Sequence, residues 1–241
     1  MTTARKLQCR VDRIVDHGGR VYTVDLVPAS PVPRFRLGQF LHLTVDAYDP
    51  SGFWPESRVF SIASGPGDRS RVQICYSVKG RYTSRMEQEL REGGDVWIKL
   101  PYGDFVIEDT GDIVLLAGGT GISAFTAFLE SLAPADTRKV TLVYGARSPD
   151  LWLFRDMIER QLQLCASLSA IFFSESPISD LRPLTSDSRP PTSDLRLPTA
   201  GLRPPTSVFY LSGPPIMLST LSRDLASRGV PPDRIRTDAW E

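Results

Sequence analysis

Residues 112–117 read DIVLLA, and Gly118-Gly119-Thr120-Gly121 follows with no spacer. A run that is apolar at successive positions has no wet face, so it belongs to a strand covered on both sides. The stretch after the glycines, 123–132, has helical spacing. Further strands are read at 139–144, 170–173 and 208–211, and further helices at 148–164 and 215–227. Strands alternating with helices predict a doubly wound parallel sheet.

The first half of the chain keeps a different rhythm. Residues 21–27, 39–45, 58–63 and 72–78 are short and rich in β-branched and aromatic residues. Clusters of Pro, Gly, Asp and Ser separate them at 28–33, 49–52 and 64–68. That spacing predicts a small antiparallel barrel or sandwich. One helix interrupts it at 83–92 (TSRMEQELRE), opened by a hydroxyl residue that can cap and closed by Gly93-Gly94. With 241 residues there is room for two such units. The boundary falls near 108–111, giving domains at 1–109 and 110–241.

Composition removes several functions. Twenty-eight basic residues balance twenty-eight acidic ones, whereas a general nucleic-acid binder carries a basic excess. No apolar run approaches eighteen residues, and the first residues lack the apolar core of a signal peptide. A cytoplasmic protein without a membrane span is expected. Cys9, Cys75 and Cys165 are odd in number and far apart, which suits a reducing compartment and is too few for an iron–sulfur cluster. His17, before Gly18-Gly19, and His42, within 40–45, read as turn and strand residues rather than metal ligands. No metal site is expected.

One segment fits neither rhythm. From Ser179 the chain reads SDLRPLT, SDSRPPT, SDLRLPT and AGLRPPT, ending at Thr206. Every copy of this seven-residue unit contains proline, which excludes a coiled coil. Residues 176–206 are therefore set apart as a proline-rich insertion in the second domain. It is either a solvated surface loop or a docking segment.

The chemistry-bearing residues lie outside that insertion. Gly119-Thr120-Gly121-Ile122-Ser123-Ala124 is a G-x-G-x-x-A between a buried strand and a helix. Its glycines let backbone approach a pyrophosphate, and the helix start offers free N–H groups. The alternative is a plain strand-to-helix turn. Where a common dinucleotide site places an acid after the second strand, the sequence reads Tyr144-Gly145-Ala146-Arg147-Ser148. Arg147 and Ser148 could meet a 2′-phosphate, or Arg147 could simply be solvated. In Arg58-Val59-Phe60-Ser61 the arginine and the aromatic share a strand face, an arrangement that can clamp a phosphate beside a planar ligand.

Six motifs then occur in order: Arg58–Ser61 (RVFS), 76–83 (YSVKGRYT), 101–105 (PYGDF), 118–123 (GGTGIS), 143–147 (VYGAR) and 210–215 (YLSGPP). Together they resemble the ferredoxin–NADP reductase superfamily of flavin oxidoreductases over almost the whole chain. The resemblance implies an antiparallel β-barrel FAD domain followed by an α/β Rossmann-like parallel-sheet NAD(P) domain. It gives Arg58 the flavin pyrophosphate, lays Val59 and Phe60 along the flavin with Phe60 against the ring, and brings Ser61 to its N5 region. Phe60 stands where tyrosine is commoner, which removes one hydroxyl. Tyr76, Ser77, Val78 and Lys79 would line the FAD, and Gly80, Tyr82 and Thr83 would present a helix N-terminus to the pyrophosphate. Two phosphate motifs favour FAD over FMN. Gly119, Thr120, Gly121 and Ile122 would bind the nicotinamide nucleotide, with Arg147 near its adenosine half and Gly213 and Pro214 near the nicotinamide. Ser212 replaces the usual cysteine beside the hydride-transfer centre. Ser61 and Ser212 are thus the catalytic candidates. Near the C-terminus Asp238 could sit close to N5, and Trp240 could stack on the flavin or belong to a frayed tail.

The resemblance implies an NAD(P)H-dependent flavin reductase with FAD as cofactor and NADH or NADPH as co-substrate. Electrons would pass to a separate protein, a ferredoxin or an oxygenase component, because no carrier domain is present in the sequence. Ser212 and the repeats leave a second reading open, a degenerate flavin- or nucleotide-binding module that acts as a scaffold through its insertion.

Overall fold

The computed structural model describes residues 3–174 and 207–238. The proline-rich repeats and Trp240 lie outside these residues.

Six strands build the first unit: β1 (Arg5–Asp16), β2 (Val21–Pro28), β3 (Phe40–Thr44), β4 (Arg58–Ser61), β5 (Val72–Ser77) and β6 (Asp95–Tyr102). They form one antiparallel sheet in the order β4-β3-β6-β1-β2-β5. The sheet curls until its two edges meet, where Ala63 N donates to Gln73 O at 2.8 Å. Strands β1 and β6 go beyond those the sequence pattern indicates. β1 does alternate, with Leu7, Cys9 and Val11 turned inward. Its outward residues are mostly charged, which hides the period among polar neighbours. Inside the barrel Val24, Leu26, Leu41, Leu43, Ile74, Ile98 and Leu100 are fully buried.

The helix α1 spans Arg81–Glu89, two residues earlier than the sequence pattern predicts, with Gly80 as its N-cap. Thr83 therefore caps from inside the first turn rather than from in front of it. Its Oγ1 accepts from Lys79 N (2.9 Å) and Gly80 N (3.1 Å), much as a capping-box side chain reaches back.

The second unit contains β7 (Ile113–Gly118), α2 (Ser123–Ser131), β8 (Val140–Ala146), α3 (Arg155–Leu164), β9 (Leu168–Ser174), β10 (Val208–Ser212), α4 (Pro215–Ser227) and β11 (Ile235–Asp238). Its strands are parallel in the order β11-β10-β7-β8-β9. Every residue of β7 is buried, as its unbroken apolar run demands. Helix α3 is shorter than the predicted 148–164. Pro149–Leu151 forms a 3-10 turn, and Phe154 takes a left-handed conformation (φ +58°) before the helix starts. Proline at the turn and the positive φ both interrupt the ladder that a single helix would need. The short β11, which the sequence pattern does not single out, completes the sheet beside β10.

The two units share a core. Val21, Cys75 and Ile107 are buried in one cluster with residues of β7, β8 and α2. Phe105 meets Phe125 at 6.2 Å and the Tyr210 ring edge-on at 5.6 Å. An apolar seam of this kind holds two domains as one body.

Candidate functional site

The parallel sheet reverses its winding at β7: the chain moves one way to β8 and β9, then returns to the other side for β10 and β11. A crevice at such a reversal, outside the carboxyl ends of the strands, is where sheets of this kind take ligands. Both glycine motifs of the second unit lie there. Gly119–Ile122 follows β7 as a 3-10 turn, and Gly213-Pro214 follows β10. Ala117 pairs with Ser212, and Gly118 with Gly145 at the end of β8.

The approach between the two motifs is closer than a side chain would allow. A Cβ on Gly121 would fall 2.4 Å from the Ser212 carbonyl oxygen and 2.6 Å from Gly213 N. Gly119 has φ +53°, a region open to glycine at little cost. The loop is also tied from below. The buried Tyr144 hydroxyl lies 3.2 Å from both Gly119 O and Leu151 O and accepts from Leu153 N (3.1 Å). Burial pushes the Tyr144 phenol up, so it remains a donor. Ser123 Oγ donates to Thr120 O at 2.8 Å. This turn leads into α2, and Ser123 N–H donates to the turn's Thr120 and Gly121 carbonyls; a glycine turn running into a helix start is a place where backbone N–H groups can meet an anion. Among the predicted residues here, Ile122 is fully buried, so the turn offers a ligand its backbone and not this side chain. Arg147 lies exposed just beyond β8.

Ser212 and Asp238 end adjacent parallel strands, and Ser212 Oγ donates to Asp238 Oδ2 at 2.9 Å. Both residues are almost completely buried. The hydroxyl thus has a definite task, the partnering of a buried carboxylate.

In the barrel, β4 ends the RVFS motif with Phe60 and Ser61 buried. Phe60 packs against Tyr76 (6.2 Å), which in turn stacks on Tyr22 (5.2 Å). Arg58 points outward. Its guanidinium lies 4.7 Å over the Tyr82 ring, and it bonds Ser57 O (2.8 Å) and Glu56 Oε1 (3.1 Å). Arg81 reaches the other oxygen of Glu56 at 3.4 Å. Tyr82 is itself buried and lies within 3.3 Å of the carbonyls of Leu43 and Glu56, which fixes α1 against β3. Two arginines therefore meet at the start of α1, with a carboxylate between them. This donor set suits a phosphate: two guanidinium forks and a helix N-terminus around an anion. Val59, Ser77 and Val78 are half-buried, and Lys79 and Gly80 are exposed at the same end.

Several participants had no sequence signal. Tyr144 lies within the 143–147 motif, but nothing there marks its hydroxyl as the tie beneath the glycine turn. Glu56 and Thr126 belong to no motif, Arg81 lies within 76–83 without a role assigned to it there, and the roles of all three come from contacts between elements. His17 and His42 take the turn and strand positions expected of them. His17 Nε2 lies 3.0 Å from Thr23 Oγ1, and His42 faces the Tyr102 ring edge-on at 4.9 Å.

A family model described as "Oxidoreductase NAD-binding domain" matches residues 115–174. Among curated proteins, the reductase component of phenol 2-monooxygenase from Pseudomonas sp. (strain CF600) is 30% identical over 143 residues, 57% of this chain and 38% of its own length. The chain thus spans about two fifths of that relative. Among solved structures, the Amycolatopsis cytochrome P450 reductase GcoB aligns with a TM-score of 0.79 at 22% identity, covering 99% of this chain and 70% of that one. The flavohem-like FAD/NAD-binding domain of the nitric oxide dioxygenase from Vibrio cholerae O1 aligns with a TM-score of 0.74 at 21% identity, covering 97% and 98%. An antiparallel barrel thus leads into a parallel-sheet unit that this family model matches in part, and the chain shares the two-domain fold of these solved structures.

Proposed function

We propose that the chain is an FAD-dependent oxidoreductase. It takes a hydride from NADH or NADPH and passes electrons to a separate acceptor protein, such as a ferredoxin or an oxygenase component. The domains are 1–109 for the flavin and 110–241 for the nicotinamide nucleotide. The observation that carries this reading is the pairing of two anion sites. Arg58 and Arg81 stand at the start of α1 in the barrel, and Gly119–Ile122 abuts Ser212-Gly213 at the sheet reversal. The relative from Pseudomonas is itself the reductase component of a monooxygenase, which supports a protein acceptor. The free, buried cysteines support residence in the reducing cytoplasm.

Flavin accepts a hydride and can release its two electrons singly. The chain's part is to bind and orient. Arg58 and the α1 N-terminus would hold the pyrophosphate, and Phe60 with Ser61 would border the ring. The Gly119–Ile122 turn and Gly213-Pro214 would hold the nucleotide. Ser212, with its hydroxyl committed to Asp238, would keep a fixed polar wall at the nicotinamide.

The test is the visible spectrum of the purified chain supplied with FAD, before and after anaerobic NADH and then NADPH. The expected result is a flavin band that bleaches, with the faster nucleotide identifying the donor. Arg58→Ala is expected to weaken FAD binding about 10- to 100-fold, the worth of a charge-assisted hydrogen-bond pair. Bleaching and FAD affinity unchanged in that variant would refute the site. A protein that takes up no FAD would favour the scaffold reading.

A further inference from the structure

A buried side-chain hydrogen bond joins the barrel to α2 close in the chain to both half-sites. Two residues past Ser61, the Ala63 carbonyl accepts from Thr126 Oγ1 at 2.7 Å. Ala63 and Thr126 are 2% and 1% exposed, so this hydrogen bond is made away from water, where an unpaired partner is costly. Thr126 sits one turn into α2. Its Oγ1 is also 3.0 Å from Ser123 O, and Ser123 Oγ in turn bonds Thr120 O. A short relay of contacts therefore runs from the end of β4, through Ala63 and Thr126, to the turn that opens α2. One helical turn further on, Gly65 N donates to Glu130 Oε2 at 3.2 Å. The loop after β4 is thus held along one face of α2 at two points. The apolar seam near Phe105 and Phe125 fixes the units together by close packing, in which no single dispersion contact has a preferred direction. The hydrogen bond does have one.

We propose that Thr126 is a positioning residue: by fixing the Ala63 carbonyl to α2, it sets the separation between a flavin beside Ser61 and a nucleotide at Gly119–Ile122. This rests on the flavin reading given above. Hydride transfer is steep in donor–acceptor distance, and misplacement of about 1 Å can cost about 100-fold in rate. A slide of a fraction of that is expected to cost about tenfold.

The experiment compares Thr126→Val, which keeps the shape and removes the hydroxyl, with Thr126→Ser, which keeps the hydroxyl. Thr126→Ala replaces the valine variant should that one misfold. Three quantities are read: FAD and nucleotide dissociation constants, the anaerobic rate constant of flavin reduction, and amide hydrogen exchange at 62–65 in the flavin-free chain. The expected result for Thr126→Val is dissociation constants within twofold of the wild type, a reduction rate about tenfold lower, and faster exchange confined to 62–65. Thr126→Ser is expected to restore both rate and protection. An unchanged reduction rate alongside faster exchange overturns the proposal and leaves the flavin reading standing. Unchanged exchange overturns the strut itself. A wild-type chain that takes up no FAD overturns the flavin reading, and the proposal with it.

Discussion

Ser212 shows how one side chain can be read for chemistry and turn out to be doing structural work as well. Its hydroxyl donates to the buried Asp238 carboxylate across two parallel strands. Removing that donor takes one hydrogen bond from a buried carboxylate, a bond to a charged group being worth about 1.5–3 kcal/mol. Ser212→Ala is therefore expected to lower the melting temperature by several degrees, and calorimetry or circular dichroism would show it. An unshifted melting point would mean that the carboxylate is otherwise satisfied. The cysteines give a second expectation at this scale. All three are free and buried, and burial pushes the Cys9 and Cys75 thiols up to about 12. At pH 8 these two stay protonated, and the thiolate is the reactive species. A colorimetric thiol reagent should detect almost no reaction in the native protein and three equivalents after denaturation. Rapid native labelling would contradict the burial.

At the scale of elements, the Gly119–Ile122 turn depends on how closely two loops can lie. Gly121 has no room for a methyl group, because the obstacle is the Ser212–Gly213 backbone rather than a movable side chain. Gly121→Ala must push the β7–α2 turn away from the end of β10. The expected outcome is at least a tenfold loss of NADH or NADPH affinity with FAD binding in the barrel retained, read by nucleotide titration and flavin absorbance. A variant that binds nucleotide normally would show that this turn does not hold it. Helix α1 teaches the complementary lesson. The sequence signals a helix with a hydroxyl near its start, yet the cap is Gly80 and Thr83 works from within the first turn. A hydroxyl can satisfy the same orphan N–H groups from either position, so local pattern alone does not choose the start.

For the whole molecule, the shared core makes the two units mechanically one. The proline-rich repeats connect β9 to β10, which stand three strand spacings apart in the sheet. That is about 14 Å sideways, and about 17 Å more to return to the start of β10. A flexible bridge of about twelve residues reaches about 40 Å when extended. Replacing residues 179–206 by such a Gly-Ser bridge is therefore expected to leave solubility and FAD content unchanged. Soluble yield and the flavin spectrum are the measurements. Insoluble protein would show the repeats to be part of the fold. Among the described residues, no helix is long and apolar enough to cross a membrane.

The sequence by itself determined what depends on neighbours along the chain. The unbroken run at 112–117 required a strand with no wet face, and the glycines after it required a tight turn into a helix. The change of period near residue 110 separated a barrel from a parallel sheet. In the same way the order of motifs pointed to Arg58, Gly119 and Gly213 before any contact was known. Only the tertiary structure decided what depends on contacts between distant segments. Glu56 between Arg58 and Arg81, Tyr144 under the Gly119–Ile122 turn, Ser212 on Asp238 and Thr126 on Ala63 are contacts made across elements, up to 63 residues apart in the chain for the last. Periodicity reports which face of an element is buried. It carries no information about which polar group will wait on the other side, because that is settled only when two elements dock and each buried donor must find an acceptor.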